Sequence, residues 1–263
     1  MEYRVIDFFS GAGGFSEGFR QAGFKIILGI DKWKSAIDTF NLNFDLSCDP
    51  KDILDFSSSE EIEQLPDTEI IIGSPPCVSF SNSNKSGNGD KKLGIKLTKI
   101  FLKIIAVKKH KNNSILKAWF MENVVNSKYY LKEVYTFKDL NLAKWASSNK
   151  INPNEIAVNL KDNYFIANSA DYGAPQIRKR IIYGEIKKTA NLNAPPRTNK
   201  EVNELIKLSN YKTLNDVLGK FPSPFSKKSQ ELITDPLYPK ISLPLHQITD
   251  HFYDTGITYI DWE

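Results

Sequence analysis

Three stretches of this 263-residue chain predict a doubly wound α/β fold with a mostly parallel sheet. Ile70-Ile71-Ile72 is an unbroken β-branched run, as in strands buried on both faces, and it stops at Gly73-Ser74-Pro75-Pro76. Tyr3 to Phe9 reads as a second strand, running into the turn Ser10-Gly11-Ala12-Gly13-Gly14 and then a helical pattern. Lys25 to Ile30 reads as a third, ending at Asp31. Ligands of open α/β sheets sit in the crevice outside the carboxyl ends of the strands, so the turns that follow these strands are the candidate site.

The turn after Ile72 carries Cys77, one of two cysteines in the chain. Two prolines fix φ on the approach to it, and a thiol at the carboxyl end of a strand is placed to act as a nucleophile. A lone loop cysteine is otherwise a small buried hydrophobe, which is how Cys48 reads. Gly11-Ala12-Gly13 begins like a dinucleotide fingerprint, but its third glycine would fall on Ser16. Asp31 lies about twenty residues beyond the turn, where an acid accepts hydrogen bonds from ribose hydroxyls. Capping of a helix expected over Trp33 to Asn43 is the other role open to it.

Composition bounds the answer without choosing it. At 41% apolar, 25% charged and net charge +4, the sequence has the makeup of a globular domain with a smaller appendage, and it permits a polyanionic partner without requiring one. The start, Met1 to Asp7, has no signal-peptide core, and no apolar run approaches the ~18 residues of a membrane span, so a cytoplasmic location is expected. Two cysteines make neither a disulfide framework nor a zinc cage, and a reducing compartment leaves Cys77 free. His110, His246 and His251 have no ligand spacing, and no metal is expected.

Five motifs carry a family resemblance. Asp7-Phe8-Phe9-Ser10-Gly11-Ala12-Gly13-Gly14-Phe15 resembles the opening motif of the cytosine-5 DNA methyltransferases. Asp52-Ile53 resembles their contact to an adenine ring, Pro76-Cys77 their nucleophile, and Trp119-Phe120-Met121-Glu122-Asn123-Val124 their strand ending in Glu-Asn-Val. Gln176-Ile177-Arg178-Lys179-Arg180 is similar to their basic motif. The resemblance covers residues 7 to 184, in the family's order. It implies a Rossmann-like fold with seven strands, one antiparallel, and S-adenosylmethionine as cofactor. The pocket it implies consists of Phe9, Gly11, Ala12, Gly13, Gly14, Asp31, Lys32, Asp52, Ile53, Ser74, Pro76 and Leu97, the last of which aligns only loosely and fits core packing better. Val78 departs from the glutamine many members carry after the cysteine, which bears on a loop hydrogen bond.

The residues also make chemical sense. Carbon 5 of cytosine is a poor nucleophile until another nucleophile adds at carbon 6, a step suited to a thiolate. A cysteine with an ordinary pKa of roughly 8.5 needs help, from positive charge or from proton transfer to the base. Glu122, at the end of an apolar strand, can donate that proton to ring nitrogen N3. Asn123 would hold loop and base by amide hydrogen bonds. Arg180, and Arg178 beside it, would meet the cytosine O2 or phosphates.

Phe80 to Lys92 reads as a mobile lid with lysines 85, 91 and 92 facing phosphates, since the base must be flipped out of the duplex. Leu97, Ile100, Phe101, Ile104 and Ile105 mark an amphipathic helix. Residues 126 to 161 carry no motif beyond a helical pattern over Leu140 to Ser147. Asn163 to Ala167 and Arg180 to Ile186 read as two final strands.

A catalytic domain is thus expected over 1–190 and a connector over 191–263, with one short helix at Leu214 to Leu218. Base recognition and a closing motif are not visible in that connector. The expected partners are double-stranded DNA and a second polypeptide carrying the recognition domain, docking through tail residues such as Phe221, Phe225, Tyr238 and Trp262. Transfer RNA as substrate, truncation of a longer gene in place of a second polypeptide, and a non-catalytic relic or accessory subunit are the alternatives; intact Cys77, Glu122 and Asn123 speak against the last.

Overall fold

The computed structural model describes residues 2–76, 91–189, 191–200, 208–218, 232–234 and 242–244. The chain divides into two compact units, one of Met1–Asn168 with Arg178–Pro196 and one of Ser169–Ile177 with Arg197–Glu263.

In the first unit, β1 (Arg4–Phe8), α1 (Gly14–Gln21), β2 (Lys25–Ile30), α2 (Lys34–Phe44), α3 (Ser59–Glu63) and β3 (Ile70–Gly73) follow the order expected. After them come α4 (Lys91–His110), β4 (Ala118–Asn123), β5 (Val134–Thr136), α5 (Ala143–Ser148), β6 (Ile156–Asn159), β7 (Tyr164–Asn168) and β8 (Lys179–Ile186). The central sheet runs β2-β1-β3-β4-β8-β7. All neighbours are parallel except at β8, which is antiparallel to β4 and to β7.

Six strands stand in that sheet among the described residues, where the resemblance implied seven. Beyond β2, residues 46–50 lead up to Asp52 without ladder pairing. The thiol of Cys48 takes the Gly29 N–H (3.4 Å), and Cys48 is itself held by Asn41 (N–H to Oδ1, 2.8 Å). A side chain thus occupies a donor that a further strand would have used, and Pro50 has no N–H to offer one. Cys48 is structural, as expected.

The core lies mainly on one face of the sheet, where Ile6, Phe8, Ile71, Phe101, Trp119 and Met121 pack with α4. The small antiparallel β5–β6 pair adds Tyr135, Ala157 and Val158. Two lysines of α4 are buried: Lys103 donates to the Ser57 carbonyl and Lys108 to the Leu65 carbonyl. Burial pulls both below the usual lysine pKa. The opposite face of β1–β3 packs against Phe40 and flanking aromatic rings.

Two local expectations change. Lys91 and Lys92 form the first turn of α4, and the Lys91 ammonium lies over the Tyr130 ring (5.0 Å), so they are not lid residues; the rest of that stretch lies outside the described residues. The helical pattern at Leu140 to Ser147 contracts to α5, with Leu140 and Leu142 buried ahead of it. His110 is an ordinary side chain, its Nε2 3.0 Å from the Ala157 carbonyl and its ring against Phe137.

In the second unit, Asn199–Lys200 pairs with Ser209–Asn210, Leu232–Thr234 pairs with Ser242–Pro244, and the helix Leu214–Leu218 forms as expected. Asp216 and Thr213 cap that helix reciprocally. The tail aromatics Phe221, Phe225, Tyr238 and Trp262 lie outside the described residues.

Asp7, in the middle of β1, is fully buried. Ser16 of α1 donates to its Oδ2 (2.7 Å), while Oδ1 has no partner. Burial raises the carboxyl to about 7, and nearby Asp31 adds to the rise. Between pH 4 and 7 the unfolded carboxylate has lost its proton while the folded one keeps it, so this group's contribution to stability falls as pH rises through that window. The full swing is on the order of 4 kcal/mol. Asp7→Asn should therefore be the more stable protein at pH 8 and lose its advantage towards pH 4. Urea unfolding of both proteins across that range checks this, and parallel profiles would contradict it.

Candidate active site

The turns at the carboxyl ends of β1, β2, β3 and β4 converge. After β1 the chain reverses at Phe9, whose φ of 58° is left-handed, an uncommon state for an aromatic residue and a strained one. Gly11 (φ 52°) and Gly13 (φ 99°) continue the turn, and a Cβ on Gly13 would meet the Phe44 ring at 2.2 Å. No side chain caps α1 at Gly13, whose own N–H donates to the Ser10 carbonyl (2.8 Å) and closes the turn.

Asp31 fastens this turn to β2. Its Oδ2 accepts from Gly11 N–H (3.0 Å) and its Oδ1 from Trp33 N–H (2.9 Å). Asp31 thus serves the start of α2 and the glycine turn together, and each oxygen keeps a lone pair for a further donor. The Asp31 carbonyl accepts from Lys51 N–H (2.8 Å), which places Asp52 alongside. Asp52 uses one carboxylate oxygen to cap Ile53–Asp55, a single helical turn that buries Ile53.

Between these turns lies a cavity of about 200 Å³ lined by Phe9, Ile30, Asp31, Lys32, Lys51, Asp52, Ile53, Ser74, Pro76 and Leu97. All the residues assigned to the cofactor by sequence line it, apart from the four members of the glycine turn, Gly11, Ala12, Gly13 and Gly14. Leu97 does both things weighed for it, lining the cavity and packing in the core. Ile30 and Lys51 were missed, although each is the immediate neighbour of a chosen acid. Apolar walls suit a flat ring, and two carboxylates on the rim suit hydroxyl and amino donors; this donor set fits an adenosyl group.

The β3 turn is tied in by Ser74, whose N–H donates to Phe8 O (3.1 Å) and whose hydroxyl donates to Phe9 O (3.3 Å). Asn123, fully buried at the end of β4, donates from Nδ2 to Pro75 O (3.2 Å) and accepts from Val124 N–H (2.8 Å). Its amide therefore clasps the turn that leads to residue 77. Cys77 itself lies outside the described residues, as does Val78.

Glu122 points to the other face of β4 from Asn123. Antiparallel pairing with β8 brings Arg180 to it, Nε to Oε1 at 2.8 Å. Burial drives the Glu122 carboxyl above the usual range, against the pull of Arg180 and Arg178. Arg178 is exposed just ahead of β8, its N–H bonded to Asn168 Oδ1 (3.1 Å). The structure thus joins Glu122, Arg180 and Arg178 electrostatically, a carboxyl raised by burial with two cations acting on it.

The family model described as C-5 cytosine-specific DNA methylase matches residues 3–250. This chain belongs to that family. Among curated relatives, the Type II methyltransferase M.MthTI of Methanothermobacter thermautotrophicus is 31% identical over 85% of this chain and 58% of its own length. M.AquIA of Picosynechococcus sp. is 29% identical over 84% of this chain and 90% of its own. A solved structure described as a DNA modification methyltransferase encoded within a prophage (E. coli) shares the fold, with a TM-score of 0.51 at 24% identity, over 84% of this chain and 56% of that one. The sheet is accordingly that of the S-adenosylmethionine-dependent methyltransferases. Among the described residues there is no cluster able to hold a metal ion and no helix long and apolar enough to cross a membrane.

Because burial and Arg180 act on Glu122 in opposite senses, removing Arg180 leaves burial opposed by Arg178 alone. Glu122 should titrate above the ordinary glutamate range, and Arg180→Ala should move it higher still. Carbon-13 NMR of the labelled carboxyl reads both; a fall in the variant would contradict the assignment.

Proposed function

We propose that this chain transfers a methyl group from S-adenosylmethionine to carbon 5 of cytosine in DNA, within a restriction-modification system. The observation that supports this most is the placement, on neighbouring strand ends, of an adenosyl-compatible cavity and a half-buried carboxyl held by arginine. Asp31 would bind the ribose hydroxyls, Asp52 and Ile53 would meet the adenine, Phe9 and Leu97 would wall it, and the glycine turn from Gly11 to Gly14 at the start of α1 would face the cofactor's carboxylate. Bound S-adenosylmethionine supplies an electrophilic methyl group.

The Cys77 thiolate adds to carbon 6 of a flipped cytosine while Glu122 gives its proton to N3. That transfer leaves carbon 5 enamine-like and nucleophilic. Glu122 suits the step because burial keeps a proton on it at higher pH than on an exposed glutamate. Arg180 then neutralises the carboxylate that remains and, with Arg178, contacts the base or adjacent phosphates. Loss of the carbon 5 proton and departure of Cys77 complete the reaction. Target reading comes from a second polypeptide.

DNA containing 5-fluorocytosine tests the chemistry, because fluorine does not leave carbon 5 as a cation and the adduct persists. Wild-type protein, with its partner present, should yield a denaturation-resistant complex mapped to Cys77, and Cys77→Ala should yield none. An adduct at another residue would overturn the assignment. Asp31→Ala should weaken S-adenosylmethionine binding by about one to two powers of ten, as expected for a lost hydrogen bond to a charged group. Unchanged affinity by calorimetry would leave Asp31 a role in the turn alone.

A further inference from the structure

Helix α4 carries a second pattern that the core does not use. Leu97, Phe101, Ile104 and Ile105 pack in the core, whereas Lys92, Lys96, Lys99 and Lys103 recur at spacings of four, three and four, which is one face of a helix. That face lines two depressions, of about 430 and about 680 Å³, which share Ser57, Lys103 and Asn141. Lys138 and Lys144 line the larger one. Lys103, at the junction, is only 8% exposed; its ammonium donates to the Ser57 carbonyl and no carboxylate pairs with it among the described residues. Lys92, Lys96, Lys99, Lys138 and Lys144 pair with neither a carboxylate nor an aromatic ring among the described residues. The acids that line the same depressions are engaged elsewhere. Asp139 accepts from Lys132 (2.7 Å), Glu63 from the Trp145 indole (2.7 Å) and Glu60 from the Ser59 hydroxyl (3.2 Å).

We infer that this strip of lysines grips the phosphate backbone of duplex DNA beside the crevice, outside the bases being read; the inference rests on the DNA reading above. The strip starts in the right place, because α4 follows the β3 turn and its Leu97 lines the strand-end cavity, while its last turn lies towards the start of β4 at the other end of the sheet. Its length also fits. At about 1.5 Å per residue, Lys92 to Lys99 span about 10 Å, the axial run of about three phosphates on one strand. The groups on offer are donors, three exposed or half-exposed ammonium groups with the exposed Asn141 amide beside them, and phosphate oxygens are acceptors. Lys103 beneath them adds positive charge that salt screens less than it screens the exposed lysines. Phosphate contacts fix where the duplex lies without reading its sequence, so the strip adds affinity and leaves base choice to the recognition element. Regular cation spacing on a helix that begins at the crevice favours DNA over an acidic polypeptide as the polyanion held.

The test uses the full chain and a fluorescent DNA duplex, with binding followed by anisotropy over a series of salt concentrations. Lys92→Gln, Lys96→Gln and Lys99→Gln together should make the slope of log affinity against log salt shallower by about 2.7, as for three lost phosphate contacts. Arginine at the same three positions should keep the wild-type slope, since it also binds phosphate. Unaltered thermal stability and S-adenosylmethionine affinity in both variants separate a lost contact from a lost fold. A wild-type slope in the glutamine variant would overturn this surface, and so would an equal fall in the arginine variant. An acidic polypeptide that co-purifies with wild type and is lost from the glutamine variant, with the slope unchanged, would overturn it in favour of a protein partner. Each of these outcomes leaves the DNA reading intact. Methyl transfer to RNA and not to DNA would overturn that reading itself.

Discussion

The site depends on side chains that hold backbone turns together at the ends of adjacent strands. A turn built from Gly11 and Gly13 has no side chains of its own to anchor it, and its left-handed residues leave N–H groups pointing away from any ladder. The Asp31 carboxylate supplies the missing acceptor to Gly11 and, through its other oxygen, starts α2. Ser74 fastens the β3 turn to Phe8 and Phe9, and Asn123 fastens it to the end of β4. The crevice is thereby rigid before any ligand arrives, which lowers the ordering cost of binding. Phe9 can keep its strained backbone only because bonds on either side of it over-determine its position.

Electrostatics follow from the same geometry. Asp31 and Asp52 line one cavity at the strand ends, and Asp7, inside β1 and within reach of Asp31, is pushed towards neutrality by burial. Glu122 is pushed the same way but remains beside cations, so a small change in Arg180's contacts shifts its proton affinity. A carboxyl balanced between burial and an ion pair is poised for proton transfer in a way an exposed glutamate is not.

Much of this was legible in the sequence because strand, turn and helix each leave local marks. Ile70-Ile71-Ile72 and the Lys25 to Ile30 run gave β3 and β2, and glycines with an acid about twenty residues on gave the cavity's rim. What was not legible depends on distant partners. The antiparallel β5–β6 pair hides in a lysine- and asparagine-rich segment in which only the helical pattern between the two strands shows. That six strands and not seven stand in the sheet among the described residues goes with Cys48 reaching the Gly29 N–H, nineteen residues away. Asp7 stood inside a recognised motif, yet its burial against Ser16 and its unpartnered oxygen come only from packing of α1 on the sheet.

The account stands on the strand-end cavity and the adenosyl group it accommodates. A crystal structure with S-adenosylhomocysteine tests it most directly. The account predicts an adenine ring between Phe9, Ile53 and Leu97, with the ribose hydroxyls donating to Asp31 and the turn from Phe9 to Gly14 unmoved. Ligand seated elsewhere, or a turn that must rebuild to admit it, would contradict it.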